Sequence, residues 1–519
     1  MNPSTRIFVN TIAQYSRAII GVIISLYTTR IILEQLGVED YGTYNVVAGL
    51  ITLMGFVSSS LIITTQRFVS YYFGNCKFNK VRKFFVNSVF VHLCYALLLV
   101  LIFISFKNFL IFHFLNIHTS RINAAESVYY IVILITFISV MTAPFKALFV
   151  ARENIVYIVI VEIADAIIKL FLAISLSWFN YDKLVLYAWM MAIVYLAALL
   201  AFLVYAFLKY PEAKPVKFCK DISKLYIAKL MGFAGWTTYG SFSVAMKFQG
   251  LNMVYNHFFG TIINAAFGIC MQVYNAIIHI STSIVQAMNP QIIKAEGAKD
   301  RQRMYWLAEK ECKFSTMMIS VFAIPVMVNI NPILAFWLKD VPQNSDIFCQ
   351  FILASCICDQ CTVGLNVMNQ AVGKIRNYTI IMYTPKLLIV PLAFMIFYMA
   401  NEGNALDLIN DRGYLVLVLW IYVSIELLIS IARIPFLKIN AGLPVRHFVK
   451  NVFFPLAPFI IIITLIAILF NNIIVFKNAF ILNCCISVIA AVVVAWFVII
   501  NDEEKLFVKD LKKKFIKKY

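Results

Sequence analysis

The sequence predicts an all-α membrane protein with about 14 transmembrane helices, in two pseudo-symmetric six-helix bundles followed by a C-terminal helix pair. Three observations carry this. Hydrophobic residues make up 62% of the 519 and charged residues only 13%. The apolar residues gather into runs mostly long enough for the ~30 Å hydrocarbon core of a bilayer, which takes about 20 helical residues. Lys and Arg fall almost entirely into every second gap between those runs, as the positive-inside rule requires of a polytopic chain with one orientation.

The first run, Ile7 to Leu33, begins close to Met1 but exceeds a signal-peptide core and shows no small-residue cleavage site, so it is expected to stay as the first helix. Tyr41 to Val69, Phe84 to Phe106, Asn123 to Phe149, Ile155 to Trp178 and Leu184 to Leu208 complete the first bundle, residues 1–208. A linker, 209–229, leads to the second bundle, 230–438. Its spans are Leu230 to His257, Thr261 to Pro290, Phe314 to Trp337, Ile347 to Gln370, Tyr378 to Ala400 and Tyr414 to Leu437. The extra pair, Val452 to Phe470 and Ala479 to Ile500, lies in 439–500, and 501–519 is a basic tail. Phe218, Ile222, Leu225 and Tyr226 in the linker, and Phe507, Leu511 and Phe515 in the tail, recur at helical spacing among lysines. Both segments read as amphipathic stretches on the inner membrane surface. Pro144, Pro325 and Pro385 are expected to kink their helices.

A formal charge of +19 would suggest a nucleic-acid partner in a soluble protein. Here it marks topology, and no nucleic acid is implied. With both termini cytoplasmic, only six of the 44 Lys and Arg fall in outer segments: Lys107, Arg121, Lys183, Lys339, Arg412 and Lys477. The outer loops are short, the longest about Lys107 to Ile122, so they offer no external catalytic domain. The chain has no G-x-x-x-x-G-K-[ST] phosphate loop, which argues against direct ATP use. Its cysteines are scattered; even Cys356, Cys358 and Cys361, on one helix, read as small apolar residues and not as a metal site.

Sliding the sequence by 223 residues lays Gly37 on Gly260, Tyr44 on Phe267, Ser59 on Thr282, Gln66 on Asn289 and Gly74 on Gly297. The basic loop around Lys80 then falls on Arg303. Such a parallel repeat implies a pseudo-twofold axis along the membrane normal, as in other transporters.

A charge at the bilayer centre costs about 2.5–3.5 kcal/mol on insertion scales, so ionisable residues within spans are candidates for function. They are Arg17, Arg30, Arg67, Lys146, Lys169, Lys247, Lys386 and Arg433 against Glu162, Asp165, Asp359 and Glu426, two cations for each anion. Arg30, Arg67 and Lys146 lie near helix ends, where long side chains snorkel. Arg17 and Lys247 lie deeper, each on the first helix of its half, and Asn252 shares the helix of Lys247. Glu162, Asp165 and Lys169 share one helical face, Glu426 and Arg433 another, and Asp359, Thr362, Asn366 and Gln370 form a polar stripe. Arg17, Lys247, Arg30, Arg67 and Asn252 are the substrate-binding candidates. Glu162, Asp165, Lys169, Asp359 and Glu426 are the ion-coupling candidates. Nothing points to catalytic residues, a metal or a cofactor; the drive is expected from Na⁺ or H⁺ coupling or from the membrane potential.

The opening Asn10-Thr-Ile-Ala-Gln-Tyr-Ser-Arg17, the turn Leu36-Gly-Val-Glu-Asp-Tyr-Gly-Thr-Tyr44 and Gln66-Arg67-Phe68 resemble bacterial polysaccharide flippases of the multidrug/oligosaccharidyl-lipid/polysaccharide exporter superfamily. The resemblance implies two six-helix bundles around a central cavity that opens alternately to either side. It also implies a polyprenyl-diphosphate-linked oligosaccharide as cargo in the bacterial inner membrane, membrane lipids as surroundings, and other polysaccharide assembly proteins as neighbours. Lipid II flippases of the superfamily carry cavity cations on the first helix, where Arg17 is the counterpart, and two added helices that form a groove for the lipid tail, which Val452 to Ile500 resembles. A multidrug/cation antiporter of the same fold needs an acid on the first helix, and Glu34 lies only at its end. An integral-membrane glycosyltransferase or polymerase would use Glu39 and Asp40, but usually has large outer loops.

Overall fold

The computed structural model describes residues 9–17, individual positions between 20 and 44, 55–109, 111, 121–214, 221–338, 341–402, 412–473, 479–500, 504 and 505. Arg30, Phe218, Lys339, Lys477 and the tail residues Phe507, Leu511 and Phe515 lie outside the described residues. In a bilayer every backbone polar group must be satisfied within the chain, and apolar runs of this length meet that demand as helices.

After the first helical segment, 9–17, come α1 (Gly55–Gly74), α2 (Phe78–Phe109), α3 (Ile122–Ala151), α4 (Ile155–Ser175), α5 (Lys183–Lys209) and α6 (Lys224–Gly297). They are followed by α7 (Arg301–Val328), α8 (Ile330–Trp337), α9 (Ser345–Gln360), α10 (Val363–Val372), α11 (Ile375–Glu402), α12 (Arg412–Ala441), α13 (Val445–Ile473) and α14 (Ala479–Val498). Among the described residues nine helices are long and apolar enough to cross a membrane, and α9 with α10, bent by 45° at their junction, makes a tenth. The chain is an all-α, multi-pass membrane protein. Of the other expected spans, the first two are described only in part, α4 carries three charges, and the first arm of α6 is rich in polar side chains.

Helical backbone runs through all 74 residues of α6, but the tract is not straight. The rings of Tyr255 and Phe267 lie 5.2 Å apart and those of Phe248 and Tyr274 5.5 Å apart. Twelve residues of straight helix would separate the first pair by about 18 Å. The chain therefore reverses between Tyr255 and Phe267, giving two arms. Leu225 and Tyr226, expected in a linker helix, sit on the first turn of α6. Pro144 and Pro385 lie inside unbroken helices, whereas α7 ends just past Pro325, at Asn329, whose side-chain amide donates to the Pro325 carbonyl (3.0 Å).

The chain divides into two compact units. The first comprises Met1–Phe242 with Gln286–Arg301, the second Ser243–Val285 with Gln302–Tyr519. In the first unit α2, α3 and α5 close over Val128, Tyr129, Val132, Leu184 and Ala188, with the Tyr129 hydroxyl donating to the Phe103 carbonyl (2.7 Å). In the second, Tyr255 and Phe267 of α6 pack with Phe348 of α9, Phe397 of α11 and Tyr422 of α12.

Two turns of the first unit repeat each other bond for bond. After α1, the amides of Asn75, Cys76 and Lys77 donate to the carbonyls of Tyr71, Phe73 and Tyr72; after α6, those of Ala298, Lys299 and Asp300 donate to Lys294, Glu296 and Ala295. Every one of these residues is offset by 223, and Cys76 and Lys299 both adopt left-handed backbone, with φ of 52° and 63°. The two helix ends also cross reciprocally. A Cβ on Gly74 would lie 1.9 Å from the Lys294 carbonyl oxygen, and one on Gly297 would lie 1.9 Å from that of Tyr71. Adding 223 to 74 and 71 gives 297 and 294, so each contact is the other's repeat mate, as across a twofold axis.

Candidate functional site

The polar residues of the opening segment, Asn10, Gln14 and Arg17, are spaced i, i+4 and i+7 and so share one helical face. Each is bonded within the first unit. The Asn10 amide donates to the Glu153 carbonyl (3.1 Å) and Gln14 to the side-chain oxygen of Gln286 (3.0 Å), while Arg17 pairs with Glu162 of α4. Glu162 also accepts from Lys146 of α3 (2.9 Å). One carboxylate thus faces two cations. The cluster is only partly covered: the Arg17 and Lys146 side chains are 35% and 37% exposed. One turn along α4, Asp165 pairs with Lys169 (2.8 Å).

Beside it Glu153 holds a second junction. Its backbone is left-handed (φ 61°), closing the turn between α3 and α4, and its carboxylate accepts from Lys294 (2.5 Å) and Gln291 (3.0 Å) of α6.

The second unit holds a larger and drier cluster. Lys247 of α6 donates to Glu426 (2.7 Å) and to the Tyr422 hydroxyl (2.9 Å), both on α12, and lies 4.3 Å from the centre of the Phe248 ring. Lys386 of α11 donates to the other oxygen of Glu426 (2.8 Å). Arg433 of α12 reaches the α9–α10 break, donating to the Asp359 carboxylate (2.8 Å), the Asp359 carbonyl (3.3 Å) and Thr362 Oγ1 (3.0 Å). Ser430 adds a bond to the Cys358 carbonyl (3.0 Å). At this end of α9 a cation meets the negative end of the helix dipole. Lys247, Lys386, Arg433 and Glu426 are all buried.

Among the described residues both clusters carry one cation more than their carboxylates: Arg17 and Lys146 face Glu162, and Lys247, Lys386 and Arg433 face Asp359 and Glu426. A surplus cation in a low-dielectric setting suits an anion of high charge density such as a diphosphate, which forms charge-assisted hydrogen bonds. Of the other candidates, Asn252 is half-buried on α6. Arg67 lies over the rings of Phe68, Tyr71 and Phe233, 4.6, 5.0 and 5.3 Å from their centres. Asp40, the candidate acid of a glycosyltransferase, pairs with Arg121 (2.7 Å). Lys146, Lys386 and Arg433 were visible in sequence as charges within spans, but their partners lie 16 to 74 residues away and no local spacing shows them. Glu153 and Glu311 gave no sequence signal, because both lie outside the expected apolar runs.

Neither a protein-family model nor a curated protein matches the sequence. Solved structures do match the fold. A MATE transporter in its straight conformation superposes with a TM-score of 0.70 at 13% identity, over 87% of this chain and 98% of that one. An outward-facing multidrug resistance MATE family transporter of the MOP superfamily gives 0.67 at 12%, over 87% and 98%. A MOP superfamily transporter from Pyrococcus furiosus, whose binding pocket of reverse polarity suggests a different function, gives 0.67 at 11%, over 86% and 97%. The chain has the MATE-like fold of MOP superfamily transporters.

Proposed function

We propose that the chain is a flippase of the bacterial cytoplasmic membrane, with 14 spans and both termini cytoplasmic. It carries a polyprenyl-diphosphate-linked oligosaccharide from the inner to the outer leaflet by alternating access, for O-antigen, capsule or exopolysaccharide synthesis. The observation that carries this reading is the surplus cation in each charge cluster. A carrier of cationic drugs needs a carboxylate left open for its cargo, and here the cluster carboxylates Glu162, Asp359 and Glu426 already hold basic partners, while Glu311 is sealed from solvent. The polarity runs opposite to that demand, a contrast of the kind stated for the Pyrococcus protein.

In this mechanism each unit offers the diphosphate cations of its own: Arg17 and Lys146 in the first are partly exposed, and Lys247 in the second can leave Glu426, which keeps Lys386 and so is not left as an unpaired buried charge. The inside-negative potential drives an anion outward by about 2.3 kcal/mol per charge per 100 mV, so the motion needs no ATP. An apolar groove of about 450 Å³ between α7 and α14, lined by Met317, Val321, Phe322, Val488, Val492 and Trp496, offers a seat for the isoprenoid tail. Replacing Arg17 or Lys247 with Ala, at matched membrane levels, is expected to abolish translocation of the lipid-linked glycan. Full activity in both variants would remove the cationic-cavity mechanism.

A further inference from the structure

Glu311 differs from every carboxylate described above. It is the eleventh of the 28 residues of α7, is completely buried, and among the described residues neither of its oxygens has a hydrogen-bond partner. Ser315, one turn further on the same face, is also completely buried, and its hydroxyl is equally without a partner. Charges of α7 and its neighbours are paired with other groups or, like Arg446 and Lys450 of α13, exposed. Glu309 meets His447 (2.8 Å) and Asn451 (3.0 Å) of α13, Lys310 and Lys313 pair with Glu504 beyond α14, and Asp359 of α9 pairs with Arg433. The titratable neighbour of Glu311 is the thiol of Cys312, whose sulfur accepts from the Gly364 amide of α10 (3.2 Å).

An ionised carboxylate sealed in such a site, with neither cation nor donor, is so unfavourable that the group takes up a proton instead. We infer that Glu311 is a proton-binding site of the transport cycle, its carboxyl protonated while α7 is sealed and exchanging that proton with solvent when the helix is exposed. The step forms and breaks one O–H bond and requires no other reactant. A hard metal cation takes about six oxygen ligands, whereas among the described residues this face of α7 adds to Glu311 only the unpartnered oxygen of Ser315, which favours H⁺ as the ion bound. The inference rests on transport by alternating access, but not on the identity of the cargo.

Infrared spectroscopy of the full chain in proteoliposomes reads this directly. Wild type is expected to show the C=O band of a buried carboxylic acid that Glu311→Gln, a neutral mimic, removes, and the band should shift in D₂O while the protein stays folded. Translocation of a fluorescent polyprenyl-diphosphate probe should respond to an imposed proton gradient in wild type and lose that response in Glu311→Gln. A band unchanged by Glu311→Gln, one that never exchanges in the folded protein, or a gradient response that is absent in wild type or survives the substitution overturns the inference. If wild type does not move the probe at all, the flippase reading fails, while the band and its exchange still decide whether Glu311 binds an exchangeable proton.

Discussion

Gly74 and Gly297 leave no room for a methyl group, because each faces a backbone carbonyl that cannot turn aside. Gly74→Ala and Gly297→Ala should each destabilise the protein by about 1–3 kcal/mol, the cost of overpacking, and by similar amounts, since the two contacts are repeat mates. Thermal unfolding in detergent checks both. Charge pairs of different burial should respond differently to the same assay. Glu426→Gln strands Lys247 in the interior and leaves Lys386 only Asp359 at 3.9 Å, which costs roughly 3–5 kcal/mol for a broken buried pair. Asp165→Asn removes a half-buried i, i+4 pair within one helix and should cost less, up to about 1 kcal/mol. Equal losses would mean that Glu426 is better hydrated than the structure shows. Sequence alone made the intramembrane charges legible one by one. It could not show that Glu426 serves two lysines 40 and 179 residues away, because no helical period connects them.

At the scale of elements, helix ends show how the chain stabilises its interruptions. Asp182 caps α5 by accepting from the amides of Leu184 and Val185 and pairs with Arg121 (3.0 Å), which also holds Asp40. Burial pushes the Asp182 carboxyl up, but the hydrogen bond and charge of Arg121 and the two amides outweigh it and hold the group below the ordinary carboxylate range. A lowered value means that the ionised form stabilises the fold at neutral pH and that this support is lost as pH falls through the lowered value. Thermal midpoints should therefore be higher for wild type than for Asp182→Asn at neutral pH and should converge in acid. At the α9–α10 break, Arg433→Lys keeps the charge but loses the planar fork that spans the Asp359 carboxylate, its carbonyl and Thr362. Spin labels on α9 and α10 should then report a broader spread of distances across the break; an unchanged distribution would mean that packing alone sets the 45° bend. Apolar runs in the sequence located the helices well, yet they placed the start of α7 at Phe314 instead of Arg301. Glu309, Glu311 and Lys313 in the polar first turns of that helix are buried, and hydropathy cannot see this, so Glu311 fell outside the expected span.

For the whole molecule, the repeat offset of 223 was legible in landmarks such as Gly74 and Gly297, and the structure gives those landmarks identical turns and a reciprocal contact. The proposed cargo is less legible, since a diphosphate would be recognised by cations drawn from distant segments, and their grouping within each cluster exists only in the folded chain. We propose that these cations serve an anionic lipid-linked glycan. The most direct test loads a polyprenyl-diphosphate oligosaccharide into one leaflet of proteoliposomes containing the chain and asks whether an impermeant glycosidase on the other side gains access to it. Protein-dependent exposure that Arg17→Ala removes is the expected result. No exposure, together with ethidium efflux under an ion gradient, would contradict the account and assign the fold to a multidrug antiporter.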